Sequence, residues 1–336
     1  MKKIMIILFA TMAFKLLSIP ILTDVSITDN ESITIKYKIV NFEKDIEIEL
    51  GCFKNQTEIK INTNHIKGDI FSIQSKQNYS ISINKLGLPK DFNLKEYRIL
   101  PKMIYQDRIY YEMQEIKKGS YPLKSKDNVI ELIDTYKFYI SKFEITNEQF
   151  AAFVDADGYE FQEYWDVSSN LMSKNDIGWY YLAKFKMALP LEWSFKDLPY
   201  YQKASSNFKY GPVTDIRWFE AHAFANWMQC ELPTFDQMCV GFALSKSSAD
   251  SMFTGIAEFS NGKYPIQKIH DGVAEWLESG VEPTSMSCAG CNEMYFIENS
   301  SDYLQDNISY AVKCPLFRAP FLGSRIVINA NRSKIK

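Results

Sequence analysis

The chain has 336 residues, 46% hydrophobic and 24% charged, with a formal net charge of -3. That length holds two domains or one large one, and the composition is that of a folded globular protein. Lysines are scattered without a basic block, so neither composition nor charge points to a nucleic-acid partner. Aromatic residues make up 15% of the chain, which suits a dense core and also surfaces that bind carbohydrate or peptide.

Taken in chain order, the first element is M-K-K followed by I-M-I-I-L-F-A-T-M-A-F, a short basic end and then an apolar stretch interrupted by Lys15. It is too short to span a bilayer and reads as a secretory signal peptide over 1–20, with Ala13 and Ser18 the small residues near a cleavage site. No cysteine follows at once, so no lipoprotein anchor is expected. The chain is expected in the periplasm, the outer envelope or the medium, with no transmembrane helix after processing.

From 22 to 113 the hydrophobic period is two: V-S-I-T, I-T-I-K-Y-K-I-V, I-E-I-E-L, E-I-K-I and Y-S-I-S-I, punctuated by N-E-S, K-N-Q and K-G-D. Short strands at this spacing predict an antiparallel, all-β sandwich of immunoglobulin or fibronectin type. It carries no catalytic cluster, which fits a spacer or docking module.

After residue 114 the texture changes, and all six tryptophans lie in this part. T-N-E-Q at 146–149 is a capping box that opens a helix with Phe150, Phe153 and Val154 on one face. Trp218, Ala221, Phe224, Ala225 and Met228 form a second apolar stripe at helical spacing. Thr234, with a glutamine three residues on, opens a third helix. His222 is read as a surface residue on the side away from the Trp218 stripe. Six cysteines (52, 230, 239, 288, 291 and 314) are permissive for disulfides in an exported chain. C-A-G-C at 288–291 is a lone pair, read as a local disulfide or two unpaired thiols. With only His65, His222 and His270 in the chain, zinc is not expected. There is no nucleophile elbow, phosphate loop or dinucleotide fingerprint.

In order, Y-I-S-K-F-E-I-T-N-E-Q-F-A-A-F-V, P-V-T-D-I-R-W-F-E-A-H-A-F-A-N-W, E-L-P-T, D-G-V-A-E-W and F-L-G-S-R-I-V resemble the formylglycine-generating enzyme, or sulfatase-modifying factor, family over about 114–332. The resemblance implies an α+β chain whose second domain has a C-type-lectin-like fold with little regular secondary structure, in a divergent, exported bacterial member. Active members oxidise a peptidyl cysteine of a sulfatase to formylglycine with copper(I) and oxygen, through two cysteines in C-x-x-x-x-C-x-x-Y-R. Paired thiolates suit copper(I). Here Cys314, Phe317 and Arg318 match the second half, and Ser309 stands where the first cysteine belongs. Serine is a poor copper(I) ligand, so the catalytic candidates Cys314 and Ser309 read as the remnant of a site. A second thiol would have to come through space, from Cys288 or Cys291.

The family's calcium segment is likewise altered. Glu275 keeps its glutamate, and Asp271 and Val273 still offer carbonyls. Lys268, however, replaces the leading ligand of an ion that needs about six to eight oxygens, so the Lys268 ammonium is expected to stand in for calcium beside Glu275. Other family positions differ too: Glu231 replaces the arginine before L-P-T. The resemblance, with these departures, implies a non-catalytic scaffold that needs no cofactor and binds an envelope protein or glycan. The alternative is a copper(I)-dependent oxidase using Cys314.

Overall fold

The computed structural model describes residues 19–54, 57–70, 73, 75, 78–124, 130–165, 209–246, 274–281, 293–297, 310–315, 317 and 322–330. The signal-peptide reading falls outside these residues except for Ile19 and Pro20, and Lys268, Asp271, Val273, Cys288, Cys291, Ser309 and Arg318 also lie outside them. The chain is a strand-rich α+β protein.

Its N-terminal part holds two four-stranded antiparallel sheets. The strands are β1 (Ile21–Asp29), β2 (Ser32–Val40), β3 (Glu47–Lys54), β4 (Thr57–Glu58), β5 (Ile66–Gly68), β6 (Tyr79–Asn84), β7 (Tyr97–Tyr105) and β8 (Arg108–Tyr110). Their orders are β1-β2-β6-β5 and β4-β3-β7-β8. The period-two pattern places Ile33, Ile35 and Tyr37 of β2 opposite Ile83, Ile81 and Tyr79 of β6. All six are at most 1% exposed, and the Tyr37 and Tyr79 rings stack at 5.2 Å. The alternating Ser, Thr and Lys residues face outward, so a one-residue slip would invert both faces; the pattern therefore fixes the register. In β1 the pairing shifts between Thr23 and Ser26, around Asp24, whose φ of 54° is left-handed.

Two strands depart from the sequence reading. E-I-K-I contributes only Glu58 to β4; the chain then leaves the sheet and buries Ile61. β7 carries no alternation and was not anticipated. Its burial is nearly continuous because both of its faces are covered. Pro101, which has no N–H to donate, sits in the half of β7 that β3 alone pairs with.

The C-terminal part adds β9 (Met113–Ile116), the hairpin β10 (Gly119–Lys124) and β11 (Ile130–Thr135), and β12 (Phe138–Ser141). Helices α1 (Asn147–Asp155), α2 (Gln162–Trp165), α3 (Trp218–Trp227) and α4 (Phe235–Lys246) follow, with β13 (Ala274–Val281), β14 (Glu293–Ile297), β15 (Tyr310–Lys313), β16 (Leu322–Gly323) and β17 (Val327–Asn329). One sheet runs β17-β12-β9 and another β15-β14-β13-β16, the last pair parallel. Both predicted capping boxes form. Thr146 and Gln149 exchange bonds at the start of α1, and Thr234 and Gln237 do so at α4. Phe150 and Phe153 of α1 meet Phe224 of α3 at 5.7 and 6.0 Å, an aromatic core that also holds Trp227. Among the described residues no helix is long and apolar enough to cross a membrane.

Candidate functional site

β15 delivers Cys314 to the amino end of α3. A tight turn follows the strand, in which the Phe317 N–H donates to the Cys314 carbonyl at 2.8 Å. The Pro315 carbonyl accepts from the Trp218 N–H at 3.1 Å, satisfying one of the donors that the first turn of a helix leaves open. Phe317 stacks on Phe296 at 6.4 Å, and Lys313 lies over the Phe317 ring at 5.5 Å. Cys314 is half-buried against the main core. Its sulfur is in a disulfide bond whose other half lies outside the described residues.

α3 is stapled to β13 from both sides. Trp218 Nε1 donates to the Leu277 carbonyl at 2.8 Å, and Trp276 Nε1 donates to the Ile216 carbonyl at 2.9 Å. His222 is not the outward-facing residue that the sequence reading made it. It lies four residues after Trp218, on the same helix face. Its ring stacks on the indole at 4.7 Å, and its Nδ1 meets Glu278 Oε2 at 3.3 Å.

Glu275 is 2% exposed and faces Arg325, itself fully buried. Arg325 Nε donates to Glu275 Oε2 at 2.7 Å, and its NH2 group donates to Oε1 at 2.6 Å, a bidentate pair. A third donor reaches the Ser141 carbonyl at 3.2 Å. Burial works against the guanidinium charge, but Glu275 and, beyond it, Glu144 outweigh that and raise the pKa of Arg325. The cation that meets Glu275 among the described residues is therefore Arg325, fifty positions away. Sequence spacing cannot link the two; the only signal was that both lie in segments that carry the resemblance. Glu231 accepts from the Asn329 side chain and bridges to Val327.

Copper(I) would need thiolates. With its sulfur in a disulfide, Cys314 does not offer one as it stands, so the residues present do not fit the ion in this state. Among the described residues no three His, Cys, Asp or Glu side chains are grouped to hold a metal. Among the described residues Cys52, Cys230 and Cys239 are buried and outside any disulfide. Burial pushes the thiols of Cys52 and Cys239 up to about 12, which makes both inert.

The sequence profile described as a sulfatase-modifying factor enzyme 1-like domain matches residues 105–283. The chain belongs to that family. The matched span ends before Cys314 and Arg325. A stretch of 113 residues is 26% identical to hercynine oxygenase of Mycolicibacterium thermoresistibile, covering 31% of this chain. The match spans about a fifth of that protein's length, 21%. Among solved structures the chain is similar to one titled "Crystal Structure of CarF", at 14% identity and a TM-score of 0.40, over 65% of this chain and 98% of that one. It is also similar to Treponema denticola variable protein 1, at 11% identity and a TM-score of 0.38, over 72% of this chain and 100% of that one.

Proposed function

We propose that this chain is an exported member of the sulfatase-modifying factor family that has no formylglycine-generating activity and acts as a binding or assembly scaffold in the cell envelope. The observation that carries the reading is Ser309, which stands where the family's cysteine pair needs its first thiol. The Cys314 sulfur is held in a disulfide. A structural disulfide also favours an oxidising compartment. The leader proposed with this reading, taken from the sequence as 1–20, is shortened to end by Ser18, because Ile19 and Pro20 are buried.

The architecture proposed with this reading has an immunoglobulin-like sandwich up to about residue 113, followed to about 332 by a domain with the C-type-lectin-like fold of the family. The strand orders β1-β2-β6-β5 and β4-β3-β7-β8 support the first part, being A-B-E-D and C′-C-F-G when lettered along the chain. The partner class is an envelope protein or a glycan.

One observation favours a second reading. The disulfide itself places a second sulfur at Cys314, so reduction would leave two thiols together, the donor set that copper(I) oxidation of a peptidyl cysteine needs. The family includes oxidoreductases, and the matched relative is named as an oxygenase. Anaerobic copper(I) titration of the reduced full chain, beside Cys314→Ala and with a competing chelator present, separates the two. The scaffold reading expects identical weak binding by both proteins. Tight one-to-one binding that the variant loses would establish the oxidase reading instead.

A further inference from the structure

The loss of alternation in β7 has a specific cause. Ile99 and Met103 point into the core between the N-terminal sheets, whereas Leu100 and Lys102 point out of it and are nonetheless only 6% exposed. What covers them belongs to the C-terminal part. Leu100 and Phe53 form a separate apolar cluster with Tyr111, Phe143 and Tyr210. Lys102 donates to Glu148 in the first turn of α1 at 3.1 Å and also meets Glu49 at 3.2 Å. The same Glu148 carboxylate accepts from the Tyr111 hydroxyl and lies 3.7 Å from Lys209.

The fit is close enough to dictate residue choice on both sides. Tyr210 lies across Gly51 of β3 so tightly that a β-carbon there would stand 2.6 Å from its hydroxyl oxygen. The Tyr210 ring stacks on Phe53 at 5.1 Å, and its hydroxyl donates to Glu58 at 2.7 Å. Lys209 pairs with that glutamate at 3.0 Å. At the other end of the seam Arg108 donates from Nε to the Trp227 carbonyl at 2.6 Å, its guanidinium 5.3 Å from the indole. Tyr110 donates to the Met228 carbonyl at 3.2 Å. A third attachment joins Glu112 to the β1 backbone at Val25, 3.1 Å, and to Lys142, 3.0 Å.

We infer that the N-terminal sheets are not a spacer on a hinge but are packed rigidly against the family domain, and that the two parts unfold as one body. Domain contacts that leave motion free are small and wet. This one buries a lysine, a glutamate and several aromatic rings, and its three attachments are spread along β7, β8 and the link between β8 and β9. Rotation about any one attachment breaks the other two. Separation would break the buried Lys102–Glu148 pair, leaving Lys102 to Glu49 and Glu148 to Lys209 at 3.7 Å, and would expose the Leu100, Phe53 and Tyr210 cluster. A partner bound to this chain therefore meets a surface that includes both parts at a fixed angle.

The tryptophans make the test possible, because all six lie at or beyond Trp165, in the C-terminal part. Ile81 is fully buried in β6, within the core of the N-terminal sheets. In the full chain, Ile81→Ala is expected to lower the midpoint of the tryptophan-monitored thermal transition on the order of 5 °C, in step with far-ultraviolet circular dichroism. Ile81→Val, a milder cavity, is expected to shift both probes together by on the order of 2 °C, so a poorly folding alanine variant does not block the test. If the tryptophan transition stays where it is in Ile81→Val while circular dichroism shows an earlier separate phase, the two parts are independent and the inference is wrong.

Discussion

Replacing Glu275 by glutamine probes the most deeply buried ion pair at the candidate site. The substitution keeps the shape and one acceptor oxygen but removes the charge opposite a guanidinium that water does not reach. Two charge-assisted hydrogen bonds, 2.7 and 2.6 Å long, are weakened or lost. Breaking one partner of such a pair costs about 3–5 kcal/mol. The Ser141 carbonyl and the field of Glu144 remain and soften the loss. We therefore place Glu275→Gln at the lower end, about 3 kcal/mol, a large share of the roughly 5–15 kcal/mol by which a protein is stable. Removing both charges is expected to cost much less. The double variant Glu275→Leu, Arg325→Met leaves no unpaired charge of the pair and takes one donor from the Ser141 carbonyl, and it is expected to lie within about 1–2 kcal/mol of the parent. Urea unfolding followed by tryptophan fluorescence measures both, with an unchanged m-value showing that only stability moved. A single variant that costs under about 1 kcal/mol, or a double variant worse than the single, refutes the reasoning.

Four further outcomes are expected. Gly158→Ala would place a methyl 2.1 Å from the buried Phe153 ring and is expected to lose about 1–3 kcal/mol by urea unfolding. Thr146→Ala removes the α1 cap and is expected to cost about 1 kcal/mol, with Thr146→Ser recovering most of it. Cys52 and Cys239 are expected to resist thiol reagents until the chain unfolds; labelling at native rates of seconds would contradict their burial. The pH dependence is sharper. Burial raises the Glu148 carboxyl above its ordinary range even though Lys102 and Lys209 pull it down. A folded pKa above the unfolded one gives a contribution that is full at low pH and lost as pH rises through the folded value. Glutamine does not titrate, so Glu148→Gln is expected to gain on the parent in urea midpoint between pH 5 and pH 8. A variant that falls further behind at pH 8 would mean that the lysines outweigh burial.

The N-terminal strands were legible where one face meets the core and the other meets water, as in β2 with its alternating Ile and Lys. β7 was illegible for the opposite reason. Leu100, Pro101 and Lys102 are all buried, and no local pattern says that a second surface covers them. Helix starts could be read from Thr146 and Thr234 because a capping box is a local device. His222 shares the Trp218 face of its helix because residues four apart lie one above the other. At the site, the Ser309 and Cys314 positions followed from the family pattern. The pairing of Glu275 with Arg325 and the cross-linked state of Cys314 depend on contacts between segments far apart in the chain, which spacing does not encode.

The measurement that bears most directly on the central claim is turnover. The reduced full chain, supplied with copper(I) and oxygen, is incubated with a cysteine peptide, and the peptide is followed by mass spectrometry. The account predicts no conversion of the peptide cysteine to formylglycine above that given by Cys314→Ala. Conversion that depends on Cys314 would contradict it and make the chain an enzyme.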